Sequence, residues 1–275
     1  MADSSLNKPD PGKSDFLLSE MYTPEYLERR RQAGLARDRE LGFSGIDEFD
    51  PKLPSGHAYG VHTSTRLTSY FRQTHRKTAM DITPQDVIDV LNSAGVKDWV
   101  LMGLHGYVGY MPDPRATQDV DVMVPYKQRA RARKAILARW PLLQVRELSQ
   151  VTRFLDPGDL DAQGKPKPVL DLMHPWSPFQ ELILKEHVTV DEKTQHRLPT
   201  LEAALISKYA AIVSPYRDRD KKEYDAGDFR RIVRANHASI RRDALHRLAA
   251  LVSEEAPQDI DLFLAIALSD KPFPI

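Results

Sequence analysis

The residues best placed to do chemistry are Asp119 and Asp121, in the run Asp119-Val120-Asp121-Val122-Met123-Val124. β-Branched residues alternate with the acids, the period-two pattern of a short strand. Side chains at i and i+2 leave a strand on the same face. Both carboxylates therefore point the same way, their Cα atoms about 7 Å apart at ~3.3 Å of rise per residue. Carboxylates that close repel each other unless a cation sits between them. A divalent metal is the natural cation, and Mg²⁺ is usually held by one or two carboxylates plus substrate phosphates. The competing reading is a solvated strand edge, which the poor fit of Asp to strands argues against.

The residues before the pair suit a phosphate ligand. Trp99-Val100-Leu101-Met102 is an apolar run ending at Gly103, and a proline-rich turn then leads to Arg115-Ala116-Thr117. The pattern reads strand, glycine turn, one or two helical turns, loop, strand. A glycine at a strand end lets the backbone approach a ligand, and a helix start offers free N–H groups. Phosphate cradle and metal carboxylates would then lie on adjacent strands. A second strand-like run, Val169-Leu170-Asp171-Leu172-Met173, carries one central carboxylate among apolar neighbours. A buried carboxylate needs a cation, which for Asp171 means either a role at the site or a salt bridge to Arg153 or a neighbouring helix.

The ordered set Gly103, Arg115, Thr117, Asp119, Asp121 and Asp171 resembles the DNA polymerase β-like nucleotidyltransferase superfamily. Within it the chain is most similar to the minimal bacterial branch that includes AbiEii-type toxins. Lys208 in Leu205-Ile206-Ser207-Lys208-Tyr209, Arg217–Lys221, and Asp225-Ala226-Gly227-Asp228 extend the likeness, which covers about residues 84–235. The resemblance implies a palm-like mixed sheet with flanking helices and a helical C-terminal region. It implies two Mg²⁺ ions on Asp119, Asp121 and Asp171, with Asp171 as third ligand or as general base. It also implies an NTP (ATP among the candidates) held by Gly103, Leu104, Arg115, Thr117 and Lys208. NMP would pass to a hydroxyl, a tRNA 3′ end or a protein side chain, and an antitoxin is the implied partner. The family usually has Gly-Gly or Gly-Ser where this chain has Gly103-Leu104, and Leu104 can serve a phosphate only through its backbone N–H. The alternative is thus a catalytically degenerate binding or regulatory protein.

Several of these residues have a second reading. Arg115 suits phosphate by its fork of donors, or pins its loop by binding Asp119. Thr117 is more naturally a loop hydrogen-bonder than a ligand. Lys208 either faces phosphate or snorkels. His105 and Tyr107 follow the glycine; His105 could contact phosphate or base, though packing is the commoner use. His174, His187 and His196 lack zinc spacing.

The elements that must position these residues follow from pattern. Residues 1–15 are polar and read as a disordered tail. Residues 16–82 read as a charged helix over 23–41 and an extended arm over 42–82, fit to dock a partner or a second copy. The core is expected over 83–198. Thr83-Pro84-Gln85-Asp86 opens a helix that stops near Gly95, and Tyr126–Trp140 is helical with a basic face that reads as solvated. Val145–Leu155 is a strand or strand pair, residues 156–168 a polar loop or hairpin tip, and Ser177-Pro178 caps a helix to His187. Residues 199–275 are helical, broken near Pro215 and Pro257. Strands interleaved with helices, then helices alone, indicate α/β with a helical cap.

Composition excludes some classes. The 275 residues carry no net charge, so there is no global pull toward nucleic acid or anionic lipid. The absence of cysteine removes disulfides, zinc thiolates and thiol nucleophiles. No apolar run is long enough for a membrane span and the polar N-terminus is no signal peptide, so a cytoplasmic protein is expected.

Overall fold

The computed structural model describes Glu25 and residues 54–76, 78–112, 115–190 and 195–275. The tail over 1–15 and the helix over 23–41 lie outside the described residues, Glu25 excepted. Residues Pro54–His75 are α-helical (α1), where the sequence suggests extended chain. The reason is on its inner face. Ser64, Thr68 and Arg72, spaced i, i+4 and i+8, are buried there with Val61. A polar stripe of that kind is invisible to a search for apolar periodicity.

Pro84–Ser93 (α2) opens on a capping box. The Thr83 hydroxyl accepts the Asp86 N–H, and Asp86 Oδ2 accepts the Thr83 N–H at 2.9 Å. Val100–Met102 (β1) runs directly into the short helix Gly103–Tyr107 (α3). Val120–Met123 (β2) follows, then Arg129–Arg139 (α4), which packs on α2. Gln144–Glu147 (β3), Val151–Leu160 (β4) and Pro166–Met173 (β5) complete the sheet. The strand pair expected over 145–155 is present as β3 and β4, and β4 runs on to Leu160, paired with β5 through two register shifts. The polar loop is thus shorter than 156–168, because Asp156 is tied into the structure by the N–H groups of Met80 and Gly158.

The sheet order is β1-β2-β5-β4-β3, with β2 and β5 parallel and the other pairs antiparallel. Its two faces divide the chemistry. One transverse row, Leu101, Val122 and Leu172, is wholly buried. The next row, Met102, Asp121, Asp171 and Arg153, continues to Arg146 and lies on the other face.

Pro178–Glu186 (α5) begins at Ser177, whose side chain makes no capping bond; Pro178 sets the first turn instead. Val188–Val190 (β6) and Arg197–Pro199 (β7) pair as a small ribbon that the sequence reading lacks, three residues being too few for a period. Leu201–Val213 (α6) is buried nearly all round and is the centre of a helical group with Arg219–Asn236 (α7), Arg242–Ala249 (α8) and Ala256–Ala267 (α9). The helices are interrupted at 214–218, which holds Pro215, and at 250–255, and Pro257 sits in the first turn of α9, where it starts that helix. The architecture is α/β: a mixed sheet, flanking helices and a helical C-terminal region.

Candidate functional site

The sheet brings Asp119, Asp121 and Asp171 together. Asp121 and Asp171 stand opposite each other on parallel neighbours, and Asp119 immediately precedes β2. One oxygen from each of the three lies within 4.8 Å of the others. Asp171 is buried and accepts a bidentate guanidinium, Arg153 Nε to Oδ1 at 2.9 Å and Nη2 to Oδ2 at 2.6 Å. Asp171 thus makes the salt bridge to Arg153 and at the same time lies beside Asp119 and Asp121. Asp119 accepts the Thr117 hydroxyl at 3.3 Å.

The electrostatics are unbalanced. Burial pushes the Asp121 carboxyl well above the usual range, the carboxylates of Asp119 and Asp171 push further, and Lys208 and Arg153 only partly oppose them. Asp119 is raised by burial and by Asp171. Three acids share one guanidinium. Such a set of hard oxygen donors with surplus negative charge fits a divalent cation of the Mg²⁺ type.

Gly103 closes one side of the cluster. Its φ is +56°, and a Cβ placed on it would lie 1.8 Å from Asp121 Oδ2. Two demands meet at this residue: a left-handed backbone, and room for a carboxylate on the neighbouring strand. Leu104, by contrast, turns its side chain into the core, which leaves only its backbone to face a ligand.

A basic wall stands next to the acids. Lys208 Nζ donates to Asp225 Oδ1 at 2.7 Å and Asp228 Oδ2 at 3.0 Å, and lies 4.5 Å from the centre of the Tyr107 ring. It is held inside the fold and does not snorkel. Burial alone would lower its pKa, but Tyr107 and the two carboxylates raise it. Arg115 does not bind Asp119; it donates to Asp228 at 2.9 Å, as does the Tyr107 hydroxyl at 2.9 Å. Asp225 also pairs with Arg217, and Arg231 lies 3.7 Å from Asp228. Burial works against the Asp228 carboxylate, yet Lys208 and Arg115 hold it below the usual range. Four cations thus share two carboxylates. The surplus is positive, and Lys208 is close enough to favour ionisation of Asp121.

The segment that carries Arg115 and Thr117 is fixed by α1. The Ser64 hydroxyl donates to Arg115 O at 2.7 Å, Thr68 Oγ1 accepts the Thr117 N–H at 3.1 Å, and Arg72 Nη2 donates to Gln118 O at 2.6 Å. Ser64, Thr68 and Arg72, which hold the segment that precedes the acids, are residues that sequence reasoning missed. The available signal was the Ser-x₃-Thr-x₃-Arg spacing, one polar face of a helix. His105 is buried in a crevice beside Thr68 and Arg72, and burial, with the nearby Arg72 charge, lowers its pKa to about 3, so it is neutral.

Among the described residues no helix is long and apolar enough to cross a membrane. The sequence matches no protein-family profile and no curated protein. Among solved structures it is similar to an antigenic nucleotidyltransferase-like protein from Paracoccidioides brasiliensis, at 17% identity, over 72% of this chain and 94% of that one, with a TM-score of 0.41. It is also similar to ANT(2″)-Ia, solved in complex with adenylyl-2″-tobramycin, at 13% identity, over 74% of this chain and 99% of that one, with a TM-score of 0.36.

Proposed function

We propose that the chain is a metal-dependent nucleotidyltransferase that moves NMP from an NTP to a hydroxyl acceptor. The observation that carries this is the convergence of Asp119, Asp121 and Asp171 within 4.8 Å, beside the left-handed Gly103 and a wall of surplus positive charge. Asp119, Asp121 and Asp171 would hold the metal, which we take to be two Mg²⁺ ions. Bound there, the metal supplies Lewis-acid charge neutralisation and acidifies a hydroxyl. The protein's own part is placement. Gly103 leaves space where any side chain would collide with Asp121. Lys208 and Arg115, held rigid by Asp228, present a fixed positive field to the phosphates. Thr117 orients Asp119. The Arg153 fork occupies both oxygens of Asp171, which suits a charge-holding ligand better than a proton acceptor. Phosphoryl chemistry of this kind depends on positioning and charge more than on a covalent intermediate.

A degenerate binding module is the second reading, and it draws on Leu104 and on the ion pair that already engages Asp171. A tRNA 3′ end or a protein hydroxyl as acceptor, and an antitoxin partner, have only the sequence resemblance behind them. The test incubates the protein with Mg²⁺ and each α-labelled NTP, with total tRNA or the protein itself as acceptor. The control is the Asp119→Ala/Asp121→Ala double variant. Label transfer by wild type alone is expected. Equal transfer by the variant would remove the enzymatic reading, and absence of both transfer and NTP binding would favour the module.

A further inference from the structure

A cavity of about 570 Å³ opens over the exposed side of α7, in the size range of small-molecule sites. Asp220, Glu223, Tyr224, Gly227 and Arg231 line it at helical spacing, and Arg115 closes one end. Asp228, also in its lining, accepts from Lys208, so the cavity joins the basic wall beside the metal centre.

Two features set this stripe apart from an ordinary solvated face. The first is Gly227. It lies in the middle of α7, its φ is not positive, and a Cβ added to it would meet nothing within 4 Å. Glycine in a helix interior destabilises relative to alanine, and neither packing nor backbone geometry requires it here. What the missing side chain leaves is direct access to the helix backbone from the cavity. The second is Tyr224, one turn earlier, which is 76% exposed. Its ring borders the same cavity, with the carboxylates of Asp220 and Glu223 beside it; Glu223 also meets Arg219 at 3.4 Å.

We infer that this cavity is the nucleoside subsite of the donor nucleotide, an inference that rests on the reading in the preceding subsection. The Tyr224 ring stacks on the base, a contact every base can make. Asp220 and Glu223 accept hydrogen bonds from ribose hydroxyls, the usual work of a carboxylate beside a nucleoside. Gly227 lets the flat ligand lie against the helix. Arg115 and Arg231, at the Asp228 end, meet the first phosphate.

The test separates the nucleoside from the phosphates. Calorimetry on the full chain with Mg²⁺ uses two kinds of probe: the α,β-methylene analogues of the four NTPs, which resist cleavage, and inorganic tripolyphosphate. The variants are Gly227→Leu and Tyr224→Ala. Both should weaken whichever analogue wild type binds by tenfold or more and leave tripolyphosphate affinity within twofold. Gly227→Leu should also melt at the same temperature as wild type or higher, which separates lost binding from lost fold. Analogue affinity unchanged in both variants, with binding still abolished by Asp121→Asn, would overturn the subsite and leave the nucleotidyltransferase reading standing. A wild type that binds neither analogue nor tripolyphosphate would overturn both.

Discussion

Replacing Asp121 with Asn should make the metal-free protein more stable, the reverse of the usual result for a half-buried polar residue. The three candidate ligand oxygens lie within 4.8 Å of one another. Unit charges at that distance repel by about 3–4 kcal/mol in an effective dielectric of roughly 20, and Asp121 faces two such neighbours. Arg153 and Lys208 return part of this. The net relief on removing the charge is on the order of 1–3 kcal/mol, or roughly 2–4 °C in melting temperature per kcal/mol for a domain of this size. A bound cation changes the sign. Millimolar Mg²⁺ at about 100 times its Kd would add about 2.7 kcal/mol to wild type and nothing to a variant that has lost a ligand. Urea denaturation with EDTA and with MgCl₂ reads both quantities. The two proteins should exchange order: Asp121→Asn more stable in EDTA, wild type more stable in MgCl₂. A variant that is less stable in EDTA, together with a wild type indifferent to Mg²⁺, would mean that the acids are ordinary structural groups, and the metal centre would have to be abandoned.

Two further perturbations probe what surrounds the acids. Arg72→Ala removes the guanidinium that donates to Ile82 O at 3.0 Å and Gln118 O at 2.6 Å. The charged hydrogen bonds lost and the carbonyls left unpaired predict a destabilisation of about 2–4 kcal/mol in urea, and weaker Mg²⁺ binding because the Thr117–Asp119 segment loosens. His105 gives a pH signature. Its folded pKa of about 3 lies below the unfolded 6.5, so between those values the unfolded chain binds a proton that the folded chain does not. Stability therefore falls as pH drops from 6.5 toward 3, at about 1.4 kcal/mol per pH unit from this group. His105→Leu should flatten the curve by about 2 kcal/mol between pH 6.5 and 5, and urea midpoints that move in parallel for both proteins would refute the assignment. Leu is a fair replacement because Nδ1 of His105 is buried without a hydrogen-bond partner.

The parts of the site that could be read from sequence are those encoded within a few residues. Alternation places Asp119 and Asp121 on one face of a strand, Gly103 ends an apolar run, and the Thr83–Asp86 box starts a helix. Each is a local rule, and the strand, the turn and the helix form there, with Asp119 one residue ahead of its strand. What remained hidden depends on contacts between segments far apart in the chain. No local pattern says that Arg115 bonds Asp228 rather than Asp119, because that choice is made when α7 packs near the 115–118 segment. Likewise α1 shows no apolar stripe, since its inner face is spent on hydrogen bonds to a loop some 50 residues away.

Gly103 shows how the two levels meet. Its place after Met102 suggests a turn, and a turn alone would admit Asn. The Asp121 carboxylate, brought against it by strand pairing, admits no side chain at all. The same pairing sets the charge pattern. Carboxylates on one row of the sheet are left short of cations, while Lys208, Arg115, Arg217 and Arg231, supplied by the loops and the C-terminal helices, share only two acids. Lys208 already favours ionisation of Asp121 across the boundary between the two groups, while Asp119 and Asp171 still oppose it. A ligand that brings cations to the acids and anionic oxygens to the basic side would complement both groups at once. A metal-bound polyphosphate is such a ligand.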